Sequence, residues 1–286
     1  MSGGRGGSDS PVVLTSGSSA LGRAAALQLA AHGLPLVLGV RSVERGNEVQ
    51  DEVLSLNPGA RVDVLRLDLA DLTSVLEFSA EYAQRFPGWR ALVANAGVTM
   101  APTRRLTSDG FELHLGVNSL AHFALTGLLL PFAAPAARVV TVTSPAARFG
   151  RIVFHDLRFD HGYRPFRAYA ASMRANLLFA RELQRRSERD DLGVLSVAVH
   201  PGLGVALDGL SGPLGAAGRT RDYAAAAVPI VAAVTDPDLS GGELLAPRRR
   251  GGTVEAVPVT PPRIRNEDVV APRLWRLAGQ LTRVVW

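Results

Sequence analysis

The chain has 286 residues, 47% of them hydrophobic and 20% charged, with 31 basic residues against 26 acidic and no Cys. That balance excludes a disordered chain, and the lack of Cys excludes a disulfide scaffold, a thiolate zinc site and a Cys nucleophile. Every basic residue is Arg, so the pI of about 10.5 reflects guanidinium groups that stay charged far above neutral pH.

Met1–Ser10 is Gly/Ser-rich and has no apolar core, which reads as a flexible tail rather than a signal peptide, and a cytoplasmic location is expected. Short apolar runs at Pro11–Thr15, Leu36–Val40, Val62–Leu67, Ala91–Ala94, Arg138–Thr143 and Val194–Val199 predict buried strands. Between and after them, Ala24–Ala31, Val43–Leu54, Leu72–Arg85, Phe111–Leu130, Tyr169–Arg186 and Asp222–Val234 predict helices, and a last helix is predicted over Val269–Thr282. Parallel strands need crossover connections, so this alternation implies an α/β fold: a Rossmann-like, doubly wound parallel sheet with helices on both faces. One such domain is expected over 11–286, with long surface loops that could act as lids near 203–220 and 240–265. The longest apolar stretches, Phe123–Ala137 and Tyr223–Val234, are short for a bilayer and contain Pro131, Pro135 and Pro229, so no membrane span is expected. Arg248–Arg250 carries no interleaved aromatics and reads as a solvated run, with no nucleic-acid partner.

On such a sheet ligands bind beyond the carboxyl ends of the strands, so the residues just after each strand carry the functional signal. After strand one comes Thr15-Ser16-Gly17-Ser18-Ser19-Ala20-Leu21-Gly22, which resembles the T-G-x-x-x-G-x-G turn of the short-chain dehydrogenase/reductase family. Further strand ends continue the resemblance: Leu67-Asp68-Leu69, Asn95-Ala96-Gly97, Val142-Thr143-Ser144 and His200-Pro201-Gly202. So do the helix carrying Asn118 and the segment Tyr169-Ala170-Ala171-Ser172-Met173. Phe154-His155-Asp156-Leu157, Thr235–Gly242 and Arg273-Leu274-Trp275 resemble the retinol-dehydrogenase and protochlorophyllide-reductase-like branch.

The resemblance implies Tyr169 as acid/base, Ser144 orienting the substrate oxygen and Asn118 behind them holding a water relay. It implies a nicotinamide dinucleotide held by Thr15, Ser16, Ser19, Leu21, Gly22, Asp68, Leu69, Asn95, Ala96, Gly97, Pro201 and Gly202. Arg41 ends strand two, 19 positions after Gly22, where Arg suits the 2′-phosphate of NADP and an acid would suit NAD. His114 and His122, four residues to either side of Asn118, read as buried packing because no carboxylate or third ligand stands at metal spacing with them. No metal is expected. Segments near Gly202–Leu214 and Leu244–Ala246 suggest a small lipophilic substrate, and the apolar helices around Ala121–Leu130 and Leu177–Leu183 could form a homodimer face. The Lys-free, Ala-, Arg- and Gly-rich composition suggests a GC-rich bacterial source and a secondary-metabolite substrate.

The pattern is incomplete at Ser16, Ala20, Met173 and Ala206, all on the cofactor side. Met173 stands where the family has a Lys that lowers the Tyr pKa and holds the nicotinamide ribose, and its thioether does neither. Arg174 lies roughly 100° further round the helix and is expected to point elsewhere. Three functions follow: an NADP(H)-dependent reductase or dehydrogenase with a loosened cofactor grip, a non-redox isomerase, dehydratase or cyclase using Ser144 and Tyr169, and a binding module.

Overall fold

The computed structural model describes residues 10–202 and 222–286. The expectations for the N-terminal tail and the loop near 203–220, Ala206 included, fall outside them. The apolar runs form β1 (Val12–Thr15), β2 (Leu36–Val40), β3 (Val62–Arg66), β4 (Trp89–Ala94), β5 (Ala133–Val142) and β6 (Val194–Val199). All six lie parallel, in the order β3-β2-β1-β4-β5-β6. The order reverses between β1 and β4, which opens a crevice at their carboxyl ends.

Helices α1 (Ala20–Ala31), α2 (Val43–Leu56) and α3 (Leu72–Arg85) start on Ser19, Ser42 and Asp71, whose side chains accept backbone N–H groups of the first turn. The long apolar helix after β4 is not uniform. It begins as α4 (Leu113–Leu115), widens into a π turn over Gly116–Leu120 and continues as α5 (Ala121–Leu129). The helical run Leu113–Phe132 is long and apolar enough for a membrane span, yet most of it is buried here as a core helix. Helix α6 (Pro165–Asp190) begins one turn before the expected Tyr169, with Pro165 in its first turn, where a missing N–H costs nothing. Helix α7 is Tyr223–Thr235.

The region expected as a loop over 240–265 instead contains β7 (Leu244–Arg250), parallel to β6, and β8 (Thr253–Pro258), antiparallel to β7. Gly251 and Gly252 join them with φ of 56° and 89°, the left-handed pair that a two-residue hairpin turn requires. Arg248–Arg250 therefore lies on a strand, with Arg249 paired to Asp222 at 2.7 Å.

Helix α8 (Glu267–Thr282) packs on α5 and α6. Trp275 stacks on Phe179 at 5.7 Å and meets Phe123 at 5.1 Å, while Trp286 lies 5.1 Å from Phe123. Arg181 pairs with Glu267 at 2.7 Å, and the Arg186 guanidinium sits 4.5 Å from the Trp275 ring. The apolar contacts carry this docking, since burying each large aromatic contributes about 1.5–3 kcal/mol. A Cβ at Gly127 would lie 2.2 Å from the Trp286 indole. Gly127→Ala is therefore expected to dislodge Trp286 and lower stability by about 1–3 kcal/mol, read by urea unfolding; an unchanged midpoint would contradict this packing.

Candidate active site

Two adjoining hollows at the crevice share Ser16, Ser19, Ala96 and Gly97 and enclose about 730 and 1440 Å³ of space open to solvent. The first is also lined by Ala20, Leu21, Asn95, Ser144, Tyr169, Met173, Pro201 and Tyr223. The second is lined by Arg41, Arg45, Asp68, Leu69 and Arg105. Most of the expected residues thus converge on one cleft of dinucleotide size. Arg45, Arg105 and Tyr223 were not anticipated; Arg45 could have been, since it stands one helical turn after Arg41.

The first turn keeps its shape despite its lost glycines. Ser16 takes a left-handed φ of 55°, a conformation that suits glycine and costs a side-chain-bearing residue about 1–2 kcal/mol. The Ser19 hydroxyl donates to the Ser16 carbonyl at 2.8 Å and accepts the Gly22 N–H at 3.1 Å, tying the turn to the start of α1. Gly22 lies beneath the turn, where a Cβ would come within 2.2 Å of the Ser16 carbonyl oxygen. The N-terminus of α1 faces the cleft with Ser16, Ser19 and Leu21 around it, an arrangement that accepts phosphate. At the far end Arg41, Arg45 and Arg105 pair with no carboxylate among the described residues, whereas the Asp68 carboxylate accepts the Ala70 N–H. The phosphate and adenosine half of a dinucleotide suits these groups. The nicotinamide end differs, because buried Met173 packs with Tyr169, Ala147, Met100 and Ala146.

Thr15 lies behind the cleft wall and links the two sides of the crevice. Its hydroxyl accepts the N–H groups of Asn95 and Ala96, each at 2.9 Å. His122 Nδ1 faces the Asn118 carbonyl at 3.0 Å, and a carbonyl only accepts, so Nδ1 carries the proton and Nε2 takes the Thr15 hydroxyl proton at 2.9 Å. The Asn118 side chain accepts from Val98 N–H at 2.7 Å and donates to the Val98 carbonyl and the Ser172 hydroxyl, both at 3.0 Å. Asn118 is thus fully engaged and lines neither hollow. His114 is buried, as expected, and its ring is held on both sides: Nδ1 donates to buried Glu112 at 2.7 Å, and Nε2 accepts the Ala101 N–H at 3.2 Å. Gly202, at φ +90°, lies outside the lining residues.

Ser144 caps a 3₁₀ turn over Pro145–Phe149, accepting the Ala146 N–H at 3.2 Å. The Thr143 hydroxyl donates to the Met173 carbonyl at 2.8 Å and Asn176 donates to the Val142 carbonyl at 2.9 Å, locking α6 to the end of β5. Tyr169 is thereby held against Ser144. Burial raises the Tyr169 pKa, and the Ser144 hydroxyl opposes this only in part. Arg174 supplies no cation in place of the missing Lys, because its guanidinium donates to the carbonyls of Ala147 and Arg148 at 2.9 and 3.0 Å.

A doubly wound sheet with a nucleotide-type cleft at its switch point defines the class, a Rossmann-type α/β protein. The short chain dehydrogenase model matches residues 10–204, and the chain belongs to that family. It is 40% identical over 195 residues to retinol dehydrogenase 12 from Homo sapiens, and 39% identical over 197 residues to polyprenol dehydrogenase from Mus musculus. Each match covers 67% of this chain, and 60% and 58% of the respective relatives, so the alignments span about three fifths of their length. A crystal structure of an uncharacterized protein from Mycobacterium paratuberculosis is 35% identical, with a TM-score of 0.78 over 97% of this chain and 94% of that one. A short chain dehydrogenase from Shigella flexneri complexed with NADP shares the fold at 18% identity and a TM-score of 0.65, over 83% of this chain and 96% of that one.

Burial pushes His122 down to about 4 from an ordinary 6.5. Above pH 6.5 the imidazole is neutral in both folded and unfolded chains. Between pH 6.5 and 4 only the unfolded chain gains the proton, so stability falls with pH, by roughly 3 kcal/mol in all. Urea titrations across that range should show the loss, and His122→Gln should remove most of its slope; equal slopes would contradict the buried neutral imidazole.

Proposed function

We propose that this chain is an NADPH-dependent reductase of a lipophilic carbonyl compound, with Tyr169 giving the proton and Ser144 orienting the oxygen. The observation that carries the reading is the shared hollow, in which the Ser144 and Tyr169 side chains meet a cleft containing a helix N-terminus and Arg41. When bound, the cofactor supplies the hydride. Ser144 donates a hydrogen bond to the carbonyl oxygen, and Tyr169 passes its phenolic proton to that oxygen as the alcohol forms. Burial without a neighbouring ammonium keeps Tyr169 protonated, which suits reduction and disfavours the reverse oxidation. Asn118 and Ser172 act at one remove, fixing α6 against the π turn. Arg41, with Arg45 beside it, favours the 2′-phosphate of NADPH over NADH. The relatives are named for retinol and polyprenol, both lipophilic alcohols, which supports an apolar substrate class.

Met173 also favours a second reading, in which Ser144 and Tyr169 polarise a substrate oxygen for an isomerisation, dehydration or cyclisation that needs no cofactor. NADPH titration followed by fluorescence separates the two: the reductase reading requires saturable binding, weakened by Arg41→Ala for NADPH but not for NADH. Absence of binding together with turnover that Tyr169→Phe abolishes would replace it with the second.

Under the reductase reading, Tyr169→Phe lowers NADPH-dependent turnover by about 10²–10⁴. The wild-type rate should stay flat through neutral pH and change only above the ordinary phenol value near 10, because the Tyr169 pKa is raised. Met173→Lys should move that alkaline limb downward and speed alcohol oxidation more than carbonyl reduction; identical pH profiles would show that residue 173 does not govern the phenol.

A further inference from the structure

Two exposed aromatic side chains lie on the segments that carry Ser144 and Tyr169. Phe149 is 66% exposed and Phe166 45%, and their rings are 6.0 Å apart. Phe149 closes the 3₁₀ turn that Ser144 opens, and Phe166 lies one helical turn before Tyr169 on α6. Both stand outside the residues that line the hollow. Around them lie Arg148, Arg151, Arg164 and Arg167, all exposed and none paired with a carboxylate among the described residues. The Arg148 guanidinium sits 5.8 Å from the Phe149 ring. Residues 144–155 and 161–181 contain no Asp or Glu at all. Arg41, Arg45 and Arg105 are likewise without a carboxylate among the described residues but line the cleft, whereas here unpaired guanidinium groups accompany two exposed aromatic rings.

We propose that Phe149 and Phe166, ringed by Arg148, Arg151, Arg164 and Arg167, form a docking surface for an anionic lipid bilayer at the mouth of the Ser144–Tyr169 site. Protruding aromatics enter the boundary between headgroups and acyl chains, and flanking guanidinium groups take phosphate oxygens bidentately. The patch complements negative charge only. A bilayer satisfies both halves of it at once, whereas an isolated anion would leave the phenyl rings in water. Two rings make a small anchor, so binding is expected to be reversible and to weaken with salt, as exposed charges do. An apolar substrate dissolved in the bilayer would then enter beside Tyr169 without crossing water; this last step rests on the reductase reading, and the docking itself does not.

The test is co-sedimentation of the full chain with vesicles of phosphatidylcholine alone or mixed with phosphatidylglycerol, at low and high salt. Binding is expected to the anionic vesicles only and to fall with salt. Arg148→Gln with Arg151→Gln should reduce partitioning about fivefold for each charge removed, and Phe149→Ala with Phe166→Ala should reduce it further. These exposed residues leave the fold intact, which an unchanged thermal midpoint verifies. NADPH affinity measured in buffer stays unchanged in the same variants and so keeps the docking result separate from the cofactor reading. Binding that ignores phosphatidylglycerol, or that survives both double variants, would overturn the proposal. So would capture on a polyglutamate surface with no vesicle binding, which would assign an acidic protein partner instead.

Discussion

The Thr15 hydroxyl holds the site together. The strand order reverses between β1 and β4, and the backbone groups just beyond their carboxyl ends must find partners or lose about 1–3 kcal/mol each. Thr15 accepts the first two N–H groups beyond β4, and Asn95 returns a hydrogen bond to the Thr15 carbonyl at 3.0 Å. Its own proton goes to His122, which is fixed by the Asn118 carbonyl in the π turn. Asn118 carries the connection on to Val98 and, through Ser172, to α6 and Tyr169. The turn after β1 and helix α6 are therefore two ends of one buried polar chain. Such chains are rigid when every member is satisfied. Here the Asn95 side-chain oxygen is the member left over.

Most of this was legible in the sequence because strand-end residues report the crevice directly. Ser144, Asn95 and Arg41 follow apolar runs that read as strands, whose parallel order brings them together, and Tyr169 opens the predicted helix that follows Ser144. The engagement of Asn118 and the Glu112–His114 pair was not legible. Both depend on which way a side chain turns within a helix widened at Gly116–Leu120, and no spacing rule encodes that widening. The β7–β8 hairpin was missed for another reason. Its Arg run and its prolines suppress the apolar alternation, although Gly251-Gly252 between two short runs carried the turn signal. The covering of α5 and α6 by α8 depends on Trp275 and Trp286, whose spacing marks packing without marking against what.

Met173 changes the character of the site more than its size. In place of an ammonium the phenol meets a thioether and the methyl groups of Ala146 and Ala147, so its surroundings are apolar on that side and polar toward Ser144. Binding and proton donation are consequently separated in space. Under the proposed function the cleft offers a dinucleotide a helix N-terminus, hydroxyls and guanidinium groups, while proton transfer rests on one buried phenol and one serine.

One edge of the sheet is β8, and its residues bear on whether another strand could add there. An open strand edge offers unpaired amides to any neighbouring chain, and edge strands are the usual seeds of aggregation. On β8 the outermost register pair joins Pro258, which has no amide proton to offer, and Glu255 opposite Arg248 places charge in the middle of the strand. A strand added there would lose a ladder bond and confront both signs of charge. Antiparallel β8 therefore serves as a terminator, letting this side of a long hydrophobic sheet stop at solvent without inviting a stranger to extend it.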